Sequence, residues 1–541
     1  MFLMIPYLDV FRRAFTSTSG EQFVGLDNFR DVLGNAAFRL AFANTFKFTV
    51  ICIPLLLAVS LAIALFIYER PSLSRWMKPG LLMPMAVPVA SVVLLWRLIF
   101  DRSGFLNGAL SVFGFGPADW MNTEAAFWVL VISYIWKNLG YNVILWIAGL
   151  STIPKEMTEA ARVDGASELK IIRYITLPNL IPSIFVISIL ALLNSFKVFR
   201  EAYLISGNYP HDSIYMIQHL FNNWFRDLSL GKMAAGAVIV SLILIVLIVL
   251  LERLWNRGGY EMSSRILTFI LCILLFTVCY PVVFLVVGSF MGQDELINNL
   301  SPVMYGDTEN YAGWTLLPIY PTLRSYVEVL MDSPEFFISF WNSVKIALGV
   351  LIGHALIAVP CAWGFARYDF KGKNFLFTLY IIFMMLPFQV LMLSEYLVIH
   401  KLGLVDTLWA VILPGAFSTF PVFIMYNFFR GIPNEIIEAA RIDGASEGRI
   451  FLDIGIDLGM PGIAACMILQ FLEYWNIVEQ PVLFLEDPWN WTLPLYLPQV
   501  SLENAGASLA AAVITLIPSM LLFFGGQDYL EKGIAATSVK N

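Results

Sequence analysis

Apolar residues run through this chain in long blocks near 42–68, 80–100, 125–150, 180–205 and 233–251. They do so again near 265–290, 342–366, 375–398, 406–429, 459–485 and 507–525. A hydrocarbon layer about 30 Å thick takes roughly 20 residues of α-helix. Backbone in lipid must satisfy its own hydrogen bonds, so each block predicts a spanning helix. The second series holds six blocks and the first five, so a sixth is expected at the start. There, "MFLMIPYLDVF" (Met1 to Phe11) offers about half the apolar length a crossing needs. It reads as a shortened first helix, because no basic leader precedes it and no small-residue cleavage site follows, as a signal peptide requires. The predicted fold is all-α: a polytopic membrane protein of two homologous halves, about six helices each. The expected divisions are 1–257, a short cytoplasmic linker at 258–264, and 265–541.

Composition agrees with the pattern. Of 541 residues 59% are hydrophobic and 13% charged, and the mean hydropathy is +0.75, more apolar than a soluble domain can hide. The net charge of −7 and the lack of a basic tract set nucleic-acid binding aside. Cys52, Cys272, Cys279, Cys361 and Cys466 sit singly in apolar runs, where cysteine acts as a small hydrophobe. The four histidines are scattered, so no metal site is expected. Lysine and arginine beside spans mark the cytoplasmic side, which assigns Glu69 to Lys78, Glu252 to Arg257 and Arg367 to Lys373 to it. Met291 to Phe340, with seven acids and one arginine, goes outside. Arg12 and Arg13 disagree with this scheme, since they follow the first helix where the outside is wanted.

One polar phrase stands out. "EAARVDGAS" begins at Glu159 and "EAARIDGAS" at Glu438, 279 residues later, and Ile153 to Glu168 agrees with Ile432 to Glu447 at twelve of sixteen positions. Counting spans places both phrases in cytoplasmic loops between the fourth and fifth helix of each half. Pro154 suits an early helical position, with acids in the first turn. Gly165 and Gly444, after Asp164 and Asp443, suit a left-handed turn that ends the helix, and Ser167 and Ser446 can cap a second one. The expected product is a helix-turn-helix outside the bilayer. Ala160, Ala161 and Ala166, with Ala439, Ala440 and Ala445, would let another backbone approach, and Glu159 and Glu438 supply charge for docking.

This loop resembles the signature of permease subunits of bacterial ATP-binding-cassette importers, which reads EAA, then Gly, then Ile-x-Leu-Pro. The first half completes it with Ile175-Thr176-Leu177-Pro178; the second reads Ile454-Gly455-Ile456 with Asp457 in the proline's place, although Pro461 still matches Pro182. The resemblance implies the type I importer transmembrane fold in a bacterial cytoplasmic membrane, surrounded by the lipid bilayer. It implies two ATPase subunits that dock on these loops and carry ATP-Mg, an extracytoplasmic solute-binding protein, and no cofactor on this chain. "FVGLDNF", "NSFKVF" and "DLSLGKMAAGAVIV" are similar to the first permease of a carbohydrate pair of the maltose, glycerol-phosphate and raffinose type. "WNIVEQPVLFLEDPWNWTLPL" and the tail "QDYLEKGIAATSVK" are similar to the second. In the maltose-type system that tail inserts between the ATPases. The resemblance thus implies two permeases fused in one chain, with a Gly258-Gly259 hinge on the cytoplasmic face.

A charge at the centre of a span costs roughly 2.5–3.5 kcal/mol and usually faces a protein cavity. Lys137, with Asn138 beside it, and Glu473 fall near span centres; Lys197, Arg200 and Glu201 lie toward an outer end. The repeat offset matches Asn194 with Glu473 and Lys197 with Asn476 across a pseudo-symmetric interface. By resemblance to the maltose-type permease, Tyr134, Lys137, Asn138, Tyr141, Ser195 and Val198 line a sugar path; the plainer alternative for Lys137 and Glu473 is a buried charge pair or polar glue between helices. Trp76, Trp96 and Trp409 read as interfacial anchors. The substrate stays open among disaccharide, oligosaccharide and glycerol phosphoester. Lys137, Lys197 and Arg200 leave room for an anionic group, while acids beside them argue the other way.

No Walker A loop, GxxxxGK[ST], occurs, so ATP hydrolysis is expected of separate subunits. No nucleophile-base pair assembles, so no catalytic residue is assigned. The rival reading, an ion-gradient-driven secondary sugar transporter, explains paired halves but not a repeated docking loop.

Overall fold

The computed structural model describes residues 11–16, 23–68, 70–87, 89–151, 153–195, 198–207, 209–227, 229–254, 283–305, 317–385, 388–497 and 505–537. The shortened first helix at 1–10, the 258–264 linker, most of the 265–290 block and Lys197 fall outside these residues. Among the described residues, regular structure is helical apart from one bridge between Thr16 and Phe23. Five helices among the described residues are long and apolar enough to cross a membrane: Ala36–Tyr68, Pro334–Arg367, Trp409–Gly431, Glu447–Trp475 and Ala505–Leu522. Ala126–Ser151 and Leu230–Leu254 occupy two further predicted blocks.

Several blocks are broken helices rather than straight rods. The 80–100 block divides into Pro71–Ala86 and Val89–Phe100. Val87 is extended there because the residue before a proline, here Pro88, is pushed out of the helical region. Within the 375–398 block the described helices are Lys373–Met385 and Phe388–Lys401. In the second half the fifth span is interrupted after Trp475, where Ile456–Trp475 gives way to the short helix Glu479–Phe484; the described helices of the corresponding first-half stretch are Ile181–Ser195 and Phe199–Ser206.

Ala36–Tyr68 packs on Ala126–Ser151 within the first half, and Ile456–Trp475 on Ala505–Thr537 within the second. The halves interlock through Ala126–Ser151 against Ala505–Thr537 and Leu230–Leu254 against Phe388–Lys401. Buried indoles pin these contacts by donating their N–H, as buried tryptophans must. Trp146 Nε1 donates to Ser60 Oγ at 2.9 Å and Trp475 Nε1 to the Thr515 carbonyl at 3.1 Å. Trp96 belongs to the same class, contrary to its reading as an interfacial anchor. It is buried and donates to Ser133 Oγ at 2.7 Å, because Val89–Phe100 packs inside the protein. Trp409 is exposed, and the Trp76 side chain is outside the described part.

One close approach has no substitute. A Cβ at Gly140 would run into the main chain of Leu81 and Leu82, so glycine is what lets Ala126–Ser151 lie against Pro71–Ala86. Gly140→Leu is therefore expected to destabilise the bundle by about 1–3 kcal/mol through overpacking, seen as a lower unfolding temperature of the detergent-solubilised protein.

Candidate functional site

The two repeated loops adopt one shape. Lys155–Val163 begins after Pro154, and Asn434–Ile442 after Pro433; each proline sits just before the helix rather than within its first turn. Asp164 and Asp443 close the helices, and Gly165 (φ 76°) and Gly444 (φ 80°) take the left-handed conformation, which costs glycine least. Ala166 N–H then donates to the Ala161 carbonyl at 2.9 Å, and Ala445 N–H to that of Ala440 at 3.0 Å. Ser446 Oγ accepts from Arg449 N–H at 3.4 Å, the cap expected of it; Ile171 N–H donates to the Ser167 carbonyl at 3.0 Å.

The turn is stapled in both copies. Arg162 donates to both oxygens of Glu168 at 2.7 and 3.0 Å, and Arg441 to both oxygens of Glu447 at 2.7 and 3.2 Å. The Arg162 guanidinium holds the Glu168 carboxyl below the usual range, chiefly through this hydrogen bond. A depressed carboxyl loses its contribution only as pH falls through the depressed value, so the staple stays closed at neutral pH. Both residue pairs are among the repeated letters, but letters alone did not reveal the bond. Glu159, Ala160, Asp164, Glu438, Ala439 and Asp443 are exposed, while Ala161, Ala166, Ala440 and Ala445 are half-buried in the turn. Val163 and Ile442 are 88% and 86% exposed, an apolar side chain presented outward at the same point of each loop.

A π-helical turn follows each loop, at Ile172–Thr176 and Ile450–Gly455. Beyond it the halves differ: Pro178 and Pro182 accompany a break at Leu180, whereas with Asp457 the second helix runs unbroken from Ile456 to Trp475. The second loop is also tied to the preceding helices. Arg367 donates to the Phe429 and Ile432 carbonyls and, at 2.8 Å, to Asn434 Oδ1, and Tyr368 donates to Glu447 at 3.0 Å.

Deeper in the bundle the halves enclose a cavity of about 360 Å³. Tyr134, Lys137, Asn138, Tyr141, Asn194, Val198, Glu473 and Asn476 line it, so the structure brings together these sequence-chosen residues. Ser195 does not line it; its buried hydroxyl donates to the Leu192 carbonyl at 2.7 Å, the ordinary local bond of a helical serine. The charges pair differently from the Lys137 and Glu473 match considered above. Lys137 Nζ meets Glu201 at 2.9 Å within its own half. Arg200 Nε donates to both oxygens of Glu479 at 2.7 and 2.8 Å, and its Nη2 to Glu473. Arg200 and Glu479 are 279 residues apart, equivalent positions of the two halves. Extending the offset six residues past Glu473 would have found this pair. Glu395, which sequence reasoning passed over, also lines the cavity and accepts from Gln480 Nε2 at 2.9 Å.

Arg200 and Glu479 are each nearly inaccessible, with 7% and 8% of the side chain exposed. Removing one member of a buried pair typically costs about 3–5 kcal/mol, while replacing all its members is far milder. Arg200→Met is expected to lower the unfolding temperature sharply, and adding Glu473→Gln and Glu479→Gln to recover most of the loss in the same assay.

Residues 51–258 and again 355–536 match the family described as binding-protein-dependent transport system inner membrane component. The chain is 33% identical over 290 residues to the arabinooligosaccharides transport system permease protein AraQ of Halalkalibacterium halodurans, covering 53% of this chain and 99% of that one. It is 31% identical over 265 residues to the trehalose/maltose transport system permease protein MalF of Thermococcus litoralis, covering 48% of this chain and 88% of the relative. Among solved structures, a bacterial ABC transporter involved in import of the acidic polysaccharide alginate is similar at 22% identity and a TM-score of 0.42, over 50% of this chain and 99% of that one. With the family matched in both halves, the chain belongs to the binding-protein-dependent transport system inner-membrane components and carries that domain twice in one polypeptide.

Proposed function

We propose that this chain forms the whole transmembrane pathway of an ATP-driven sugar importer, with each half acting as one permease. The observation that carries the reading is the pair of stapled, outward-facing helix-turn-helix loops, repeated 279 residues apart in a chain of this family. Glu159 and Glu438 would be the charged contacts, and Val163 and Ile442 the apolar ones, for two ATPase subunits that bind ATP-Mg. By its resemblance to the second permease's tail, the segment from Gln527 would add to the ATPase contacts. ATP would draw the subunits together and tilt the loops; the ATPase contacts supply the differential affinity that a change of state requires. An external binding protein would deliver the substrate to the cavity lined by Tyr134, Lys137, Asn138, Tyr141, Asn194, Val198, Glu473 and Asn476.

A sugar is the favoured substrate class, because such ligands need hydrogen-bonding groups beside apolar or aromatic faces. The cavity offers Asn138, Asn194 and Asn476 beside Tyr141 and Tyr474. The relatives named for arabinooligosaccharide and trehalose/maltose transport support the same class.

Purification through a C-terminal tag from gently solubilised membranes, followed by mass spectrometry, should recover an ATPase and a solute-binding protein. Replacing Glu159 and Glu438 together with lysine should lower transport by roughly tenfold or more, within the range of allosteric coupling energies, without lowering the amount of folded permease. Uptake that follows a proton or sodium gradient with no ATPase recovered would overturn the reading.

A further inference from the structure

We propose that the cavity selects by charge: it takes a saccharide without acidic groups and turns away an anionic one, with Glu395 as the residue that sets this preference. The inference rests on the importer reading and narrows its substrate.

From sequence, Lys137 and Arg200 could have attracted an acidic sugar. In the structure both are already committed. Lys137 is held by Glu201 at 2.9 Å, and Arg200 by Glu473 and by both oxygens of Glu479. The described lining therefore carries two basic side chains, Lys137 and Arg200, against four acidic ones, Glu201, Glu395, Glu473 and Glu479. Lys197, outside the described residues, would still leave the balance negative if it faced the same space.

The hydrogen-bonding groups point the same way. Glu395 Oε2 accepts from Gln480 Nε2 at 2.9 Å, and among the described residues no basic group pairs with Glu395. Gln480 is 94% buried, its Oε1 has no partner, and it lines the cavity. Gln480 Oε1 thus presents a buried acceptor that lacks a donor, beside the carboxyl of Glu395. Sugar hydroxyls are donors; an ionised carboxylate or phosphate offers only more acceptors, and brings its charge next to carboxylates in a site of reduced dielectric. Like charge set against a competitor is a standard route to selectivity. Phe388 and Tyr474 line the same space and provide apolar surface for the carbon faces of a ring.

The test uses the full chain in its detergent-purified ATPase complex. Calorimetry compares two neutral probes, arabinotriose and maltotriose, with trigalacturonate, at low and high salt. A neutral probe is expected to bind at least about tenfold more tightly than the uronate at low salt, with salt narrowing the gap because it screens charge. Glu395→Gln should narrow the gap at low salt, provided its unfolding temperature matches the parent. Three results overturn the proposal: uronate binding as tight as either neutral probe, a folded Glu395→Gln variant with an unaltered gap, or no binding of either neutral probe at millimolar concentration. The importer reading stands or falls separately, on whether the ATPase co-purifies.

Discussion

A guanidinium sealed inside an apolar bundle has to be answered by negative charge, and Arg200 is answered from across the molecule. Ionised groups taken out of water lose hydration worth several kcal/mol each, and only close partners with good hydrogen-bond geometry compensate. Glu473 and Glu479 both come from the second half, so the requirement of one side chain fixes how the two halves meet. Beyond Ile181–Ser195 and Ile456–Trp475 the chain brings Arg200 and Glu479 into the same small volume. Lys137 and Glu201 close a second pair beside the first, and the remaining polar groups face the space between.

The cavity and the loops are joined by continuous backbone. From Glu447, the staple, the π-helical turn at Ile450–Gly455 and the unbroken helix Ile456–Trp475 lead directly to Glu473. A closed staple makes each helix-turn-helix move as one piece. π-Helical turns often sit at functional places in helices, and here one lies in each half between the loop and the helix that reaches the cavity. The second half also ties its loop to the neighbouring helices through Arg367 and Tyr368. The first half breaks near Pro178 and Pro182 instead, so a push at the two loops meets different stiffness.

The large-scale features were legible because they depend on composition over many residues. Apolar blocks of spanning length, the repeated phrase and its Gly165 and Gly444 turns are each written in local sequence. What stayed hidden depends on three-dimensional pairing. Val87 shows the intermediate case: Pro88 was visible, but a block reading by hydropathy alone passed over it and drew one straight helix. Trp96 was misassigned because an indole near a span end is ambiguous until its neighbour, Ser133, is known. Ser195 failed for a similar reason, since the helix turns its hydroxyl back onto its own backbone. Arg200 and Glu479 were recoverable in principle, but the offset was applied only as far as Lys197 and Asn476.

Opposite signs at equivalent positions also bear on which assemblies this architecture permits. Two copies of the first half joined about the same two-fold axis would set Arg200 against Arg200, and two copies of the second would set Glu479 against Glu479. Either arrangement places like charges together where water cannot screen them, a penalty that works as discrimination between partners. Only unlike halves set opposite charges together there. The near-repeat that makes the chain look like a duplicated object is thus broken where its halves meet by Arg200 in one half and Glu479 in the other, which favours a mixed pair.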